Sequence, residues 1–168
     1  MIPIVILIIS LLLDGLLTNY LPFLINDLSL LTPLLTVSSI IIIYPFYRKK
    51  ENKYYLLLFI FGMIYDLFYT NLLFFNGILF VIIGIISKYI YKNYGLSLVK
   101  IILYIILIIS IYESLTGIIL FSFNIVSITF NRVFYKITHS LLTNIIYIEL
   151  VYLIIKIIPK KYKKISIN

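Results

Sequence analysis

Apolar residues run along almost the whole chain, and short polar or basic stretches divide them into six segments. The approximate bounds of these segments are 3–21, 30–47, 54–71, 72–91, 98–121 and 134–158. Each is close to the roughly 20 residues that an α-helix needs to cross about 30 Å of hydrocarbon. The third and fourth form one apolar run that is too long for a single span, and Tyr69-Thr70-Asn71 is the predicted turn between them. The pattern predicts six transmembrane helices.

The composition agrees with that pattern. Of 168 residues, 63% are hydrophobic and 12% are charged, whereas soluble domains are about 45–50% apolar and about 25% charged. We therefore expect an all-α polytopic membrane protein, a six-transmembrane-helix bundle that forms one integral membrane domain over residues 1–168. The connection from Ser122 to Tyr135 mixes apolar and polar residues without a clear period, and the sequence does not decide its structure.

The basic residues predict the orientation of this bundle. The net charge is +8, and the chain has 14 Lys and Arg residues. All but Arg132 and Lys136 lie in the second and fourth connections or near the C-terminal end: Arg48, Lys49, Lys50, Lys53, Lys88, Lys92, Lys100, Lys156, Lys160, Lys161, Lys163 and Lys164. By the positive-inside rule both termini are expected in the cytoplasm. This placement favours a lipid bilayer over nucleic acid as the partner. The basic loops either set topology alone or also contact anionic lipid or a filament protein.

Tyrosine is expected to take the interfacial positions that tryptophan often occupies, because the chain contains no tryptophan. The tyrosines at predicted helix ends are Tyr20, Tyr44, Tyr47, Tyr54, Tyr55, Tyr89, Tyr91 and Tyr162. Glu149 falls in the inner half of the sixth segment, where Lys88 or Lys156 could reach it.

Ionisable residues within the apolar segments are candidates for a functional site, because a charge in hydrocarbon is costly unless it is sheltered and partnered. Our hypothesis is that a few polar residues from four helices line one polar seam that faces the bundle interior. Sharing one cluster would be less costly than four separate polar groups in lipid. The alternative is a buried structural hydrogen bond between helices. The residues of the seam are Asp14, Gly62, Tyr65, Asp66, Tyr69, Glu113 and Asn144.

The third helix carries most of this seam. Its residues Gly62, Tyr65, Asp66 and Tyr69 are three or four positions apart, so they share one helix face. A glycine on that face would let the backbone of a neighbouring helix approach the carboxylate closely.

Catalytic motifs are missing from the sequence. Tyr65-Asp66 is similar to the Tyr-Asp pair of intramembrane aspartyl proteases, but those enzymes need a second Gly-x-Gly-Asp aspartate, and Asp14-Gly15 is a poor substitute. The chain has no cysteine and no His-Glu-x-x-His, and the single His139 cannot form a metal site alone. We expect no enzyme activity, no cofactor and no metal.

At Gly62-x-x-Tyr65-Asp66-x-x-Tyr69-Thr70-x-Leu72-Leu73 the sequence resembles the rod shape-determining protein MreD family. Length, helix number and charge placement agree with this family over essentially the whole chain, and Glu113 and Leu141-Leu142-Thr143-Asn144 also resemble family positions. One departure is Phe74, where the family usually has a glycine about eight residues after the aspartate, while Gly77 follows slightly later.

The resemblance implies a non-catalytic scaffold or regulator of the cell-elongation machinery in the bacterial cytoplasmic membrane, where it supports lateral peptidoglycan synthesis and cell shape. The implied partners are a bitopic MreC-type protein, an MreB-type filament, and a RodA-type polymerase with a class B penicillin-binding transpeptidase. Whether the chain also forms a homodimer is left open.

The alternative is a small-molecule-binding subunit similar to the S components of energy-coupling-factor transporters. These proteins also have six helices and both ends inside. Such a subunit would need a ligand pocket near the outer face, which Asp66, Glu113 and His139 could line.

Overall fold

Every regular element in the described part of the chain is helical. A computed structural model describes residues 2–25, 33–70, 72–94, 97–124 and 130–157. The elements are α1 (Ile2–Ile25), α2 (Leu35–Ile43) with a 3₁₀ turn (Tyr44–Tyr47), α3 (Glu51–Tyr69), α4 (Phe75–Tyr94), α5 (Leu98–Ser122) and α6 (Phe130–Ile157). The all-helical prediction is confirmed. Of these helices α1, α4, α5 and α6 contain stretches that are long and apolar enough to cross a membrane.

The short helix α2 lies at the centre of the molecule. Every residue from 33 to 45 is buried, and α2 packs against α1, α4, α5 and α6. Its nine residues rise about 14 Å, and the 3₁₀ turn continues the helical segment to Tyr47. The sequence predicted one helix over 30–47, whereas the described helix begins at Leu35, inside the bundle. This helix is therefore enclosed by the rest of the bundle.

Helices α3 and α4 form an antiparallel pair at close range. A Cβ atom placed on Gly62 would meet the carbonyl oxygen of Asn76 and lie 2.6 Å from the Cα of Gly77. Near the other end, Gly84 of α4 contacts the side chain of Leu58. Small residues at both levels let the two backbones approach, as is common for packed helices in membranes.

The break between α3 and α4 falls where the polar tripeptide predicted it. Helix α3 ends at Tyr69, and Thr70 is extended, with φ −131° and ψ 145°. Phe74, the residue before α4, has φ 68°, in the left-handed region that favours glycine. Phe74 is where the sequence differs from the glycine usual in the family that it resembles. Glycine would adopt the backbone conformation at this position without strain.

Apart from Arg132 and Lys136 near the start of α6, the described basic residues gather at one end of the bundle. The N-terminal end of α3 lies beside the C-terminal half of α4 there, where Lys88 forms an ion pair with Glu51 (Nζ–Oε2 2.5 Å). The C-terminal end of α2 lies at the same end of the bundle. The exposed residues at this end include Arg48, Lys49, Lys50, Lys53 and Lys92. Lys160, Lys161, Lys163 and Lys164 lie outside the described residues. Glu51, and not Glu149, is the ion-pair partner of Lys88.

Two of the tyrosines predicted to lie at the membrane interface are instead fully buried. Tyr44 and Tyr54 are both 0% exposed, and their ring centroids are 5.3 Å apart in an edge-to-face arrangement. The hydroxyl of Tyr54 donates to the carbonyl of Ile40, 3.0 Å away. By contrast Tyr20 and Tyr89 are 65% and 68% exposed, as an interfacial position requires.

The connection that the sequence left open is largely helical in its described part. Helix α5 continues to Ser122, and α6 begins at Phe130. Asn124, which has φ 56°, follows the end of α5 and donates its N–H to the carbonyl of Phe121. Residues 125–129 lie outside the described residues.

Candidate functional site

The carboxylate of Asp66 on α3 caps the N-terminus of α4. It accepts hydrogen bonds from the backbone N–H of Asn76 (2.9 Å) and the side-chain amide of Asn76 (2.7 Å). The N–H of Gly77 is 3.4 Å away, and the hydroxyl of Thr70 donates at 2.7 Å. Asp66 is 0% exposed. The side chain at the centre of the seam hypothesis is therefore surrounded by donors from its own protein.

A physical reason for this arrangement is the environment of the α4 N-terminus. The first N–H groups of a helix have no partner within the helix, and no water is present in hydrocarbon to satisfy them. An anion at this position also interacts favourably with the helix dipole. Asp66 supplies the acceptor oxygens that these N–H groups need.

The Asp66 group continues to α5 through Asn76. The side-chain oxygen of Asn76, 0% exposed, accepts a hydrogen bond of 2.6 Å from the hydroxyl of Tyr112. Phe80 lies between the rings of Tyr65 and Tyr112, with centroid distances of 5.5 and 6.5 Å. Helices α3, α4 and α5 are thus joined by one buried polar group, the Asp66 group: Asp66, Thr70, Asn76 and Tyr112.

Asp14 on α1 caps α2 in the same way. It is 2% exposed and accepts from the backbone N–H of Leu35 (2.7 Å) and of Thr36 (2.9 Å). The hydroxyl of Thr36 adds a third bond at 2.6 Å. Since α2 begins inside the bundle, its first N–H groups depend on a side chain from another helix. In each of the first two helix pairs, an aspartate on the first helix caps the second.

The polar face of α2 continues from this cap toward α6. Ser38 donates to the side-chain oxygen of Asn144 at 2.7 Å, and Asn144 donates in turn to the carbonyl of Ser140. Ser39 bonds to Ser10 of α1 at 3.1 Å. The second buried group, the Asp14 group, therefore joins α1, α2 and α6: Asp14, Ser10, Thr36, Ser38, Ser39, Asn144 and Tyr147.

Tyr65 and Tyr69 lie where α3 faces α1. Their ring centroids are 4.8 Å apart. The hydroxyl of Tyr69 donates to the carbonyl of Leu11 at 2.7 Å and contacts Gly15 of α1. Tyr65 is within electrostatic range of Asp14 and Glu113.

Glu113 is buried on α5 at 7% exposure, next to Tyr112. Lys136 of α6 is close enough to attract its carboxylate electrostatically. On α6 the ring of His139 stacks on Tyr135 with a centroid distance of 3.7 Å. Asp66, Glu113 and His139, which could line a transporter-like ligand pocket, line neither the groove between α5 and α6 nor the one between α4 and α5.

The seam hypothesis is met in one respect and altered in another. The acids on α1, α3 and α5 all face the interior of the bundle. They do not share one hydrogen-bonded cluster: Asp66 belongs to one buried group, whereas Asp14 and Asn144 each bond to a different residue of α2 in the other. Tyr65 and Glu113 lie between the two. Six of the seven seam residues are buried, whereas Tyr69 is 38% exposed, and each aspartate is satisfied by a separate helix end.

Several partners in these groups were not singled out from the sequence. Thr36, Ser38 and Ser39 interrupt an otherwise apolar run, and Tyr112 precedes Glu113. Ser-Ser inside an apolar segment was an available signal, because hydroxyls in a spanning helix usually bond to a neighbouring helix. No group of three or more metal-ligating side chains of His, Cys, Asp or Glu occurs within the described ranges.

The fold and the two buried groups define an all-helical protein whose long apolar helices suit a membrane and whose interior aspartates cap helix ends. A search of protein-family models, curated proteins and solved structures returned no match to this chain.

Proposed function

We propose that this chain is a non-catalytic membrane scaffold of the MreD type, which supports lateral peptidoglycan synthesis in the cytoplasmic membrane of an elongated bacterium. In this role it is a six-span protein with both termini in the cytoplasm. Its partners would be an MreC-type bitopic protein, an MreB-type filament, and a RodA-type polymerase with a class B penicillin-binding transpeptidase.

One observation carries the proposal: both aspartates on α1 and α3 are engaged in capping neighbouring helices. Asp14 bonds to the start of α2, and Asp66 bonds to the start of α4. A carboxylate that is held by several donors from its own chain is poorly suited to proton transfer or to ligand binding. Buried acids with this geometry maintain architecture, which is what a scaffold needs.

The outer surface of the bundle supports the same role. The exposed large side chains near the cap, on α3, on α4 and in the connection between them, are apolar. Among them are Leu67, Phe68, Leu73 and Ile78, which are 56–71% exposed. Such a surface suits lipid or the apolar helices of membrane partners. The resemblance at Gly62, Tyr65 and Asp66 directs the choice of partner to the elongation machinery.

Co-purification in detergent tests this proposal. The tagged chain should retain an MreC-type protein and a RodA-type polymerase from a bacterium that carries all three, and its depletion should give round cells. A matched pair of variants, Phe68→Glu and Leu103→Glu, changes exposed positions on α3 and α5. Loss of the partners with only one of the two would locate the contact. A chain that binds none of these proteins and whose depletion leaves cell shape unchanged would refute the proposal.

A further inference from the structure

Helices α5 and α6 enclose an apolar groove at the end of the bundle opposite the basic residues. The groove has a volume of about 490 Å³, and its walls include Gly117, Ile118 and Phe121 of α5 with Val133 and Ile137 of α6. Gly117 leaves space there, and Ile118 and Phe121 are 62% and 58% exposed.

The length of the groove indicates its occupant. Its α5 wall runs from Ser114 to Phe121, which corresponds to a rise of about 10 Å. This is less than one leaflet of a hydrocarbon core about 30 Å thick. A spanning helix from a partner would need a contact surface that continues across both leaflets. The groove is confined to one leaflet, as a lipid chain is.

A cationic side chain lies on the flank of the groove. Lys136 is exposed and follows Val133 by three residues, so the two side chains are neighbours on the surface of α6. A lysine at this level can extend its ammonium toward the headgroup region while its stem stays in the apolar layer. The combination of an apolar groove and an adjacent cation matches the two parts of a phospholipid.

We propose that the groove between α5 and α6 is a binding site for an anionic phospholipid, with one acyl chain against Gly117 and the phosphate at Lys136. The lipid belongs to the leaflet opposite the basic end. The site does not depend on the scaffold role proposed above, since neither Asp66 nor a partner protein takes part in it.

Photocrosslinking tests the occupant directly. A photoreactive phenylalanine derivative at the exposed Ile118, in otherwise unchanged protein in native membranes, should give an adduct whose mass increases by one phospholipid. A polypeptide adduct at this position would overturn the proposal, as would the absence of any lipid adduct while the same group at Ile85, an exposed position on α4, reacts with lipid.

Native mass spectrometry of protein from phosphatidylglycerol–phosphatidylcholine vesicles tests the two parts of the site. Gly117→Leu should lower retained lipid about tenfold, the factor that two excluded methylene groups correspond to. Its control is Ser110→Leu, on the same helix but outside the groove. Lys136→Gln should lower phosphatidylglycerol retention about fivefold, whereas Lys92→Gln at the opposite end should not. Equal retention within either pair would overturn the assignment, and the crosslink at Ile118 decides the matter if Gly117→Leu fails to fold.

Discussion

At the scale of single residues, the two buried aspartates show how a membrane protein satisfies a helix end without water. Asp66 and Asp14 each accept hydrogen bonds from the backbone of another helix. The sequence indicated that both acids face inward, because a carboxyl group deep in lipid is costly unless the protein shelters it. It could not indicate their partners, because the donors are backbone N–H groups. Every residue type except proline has one, so the sequence does not show which of them a carboxylate will meet.

Replacement of Asp66 by leucine should destabilise the protein strongly. The change would leave the N–H groups at the start of α4 without an acceptor, at a cost of about 1–3 kcal/mol for each buried group. Thermal unfolding in detergent measures the effect. Phe59→Leu on the same helix is the control and should cost less, since Phe59 is only partly buried. Similar melting temperatures for the two variants would contradict the capping role.

Phe74 offers the opposite case, a residue whose replacement should stabilise the fold. Its φ of 68° costs a non-glycine residue about 1–2 kcal/mol, and its side chain is 53% exposed. Phe74→Gly should therefore raise the melting temperature. Leu73→Gly, at an exposed neighbour without a positive φ, should lower it through the greater freedom of the unfolded chain. A lower melting temperature for Phe74→Gly would show that its ring contributes more than the strain costs.

At the scale of helices, the glycines of α3 and α4 determine how closely the pair can approach. Gly62→Ala should separate the two helices, because the added methyl group meets the backbone of Asn76 and Gly77, which cannot move aside. Gly77→Ala is the matched control. Its nearest neighbours are the side-chain atoms Cε2 of Phe59 and Sδ of Met63, at 3.3 and 3.4 Å, which can shift.

The two glycine variants are compared by thermal unfolding. We expect Gly62→Ala to lose stability by an amount typical of an overpacked core, about 1–3 kcal/mol, and Gly77→Ala to change little. The sequence pointed to Gly62 because it precedes Asp66 by one helical turn. It did not distinguish Gly62 from Gly77, since the difference lies in whether the opposing atoms are backbone or side chain.

Helix α2 depends on a residue outside itself for its first turn. Asp14→Leu should remove the cap and expose the α2 backbone to exchange, because the N–H groups of Leu35 and Thr36 lose their acceptors. Hydrogen exchange over Leu35–Ile43 measures this. Leu12→Ala, at an exposed position of α1, should leave the protection of α2 unchanged. Unchanged protection in Asp14→Leu would show that packing alone holds α2.

The enclosure of α2 by other helices was the main feature that hydropathy did not predict. An apolar run of 18 residues fits a spanning helix by length, and nothing in hydropathy distinguishes burial in lipid from burial in protein. The serines and threonine at positions 36, 38 and 39 were the relevant signal, since they bond to α1 and α6. The long helices α1, α4, α5 and α6 were predicted well, because an apolar run of their length is typical of a helix that crosses a membrane.

At the scale of the whole molecule, the absence of cysteine allows a direct test of orientation. The sequence predicts that the basic end lies in the cytoplasm, and Asn52 is exposed at that end. Phe123, 71% exposed, follows α5 at the opposite end. A membrane-impermeant maleimide should label Phe123→Cys in intact cells and should label Asn52→Cys only after the cells are opened. The reverse pattern would invert the topology.

The two buried polar groups divide the described helices between them. The Asp14 group joins α1, α2 and α6, and the Asp66 group joins α3, α4 and α5. Every described helix therefore belongs to one of the two groups, and α2 packs against helices of both. Sequence periodicity cannot foresee this arrangement, because each group combines residues that are far apart in the chain, such as Ser38 and Asn144.

The enclosure of α2 has a consequence for how the protein is made. During synthesis α1 and α2 leave the ribosome well before α5 and α6. The hydroxyl of Ser38 on α2 nevertheless donates to Asn144 on α6. A newly inserted α2 would therefore have partners on α1 for Thr36 and Ser39, while Ser38 lacks its native acceptor until the last helix arrives. The final step of assembly thus closes the bundle around the second helix instead of adding the sixth to a finished core.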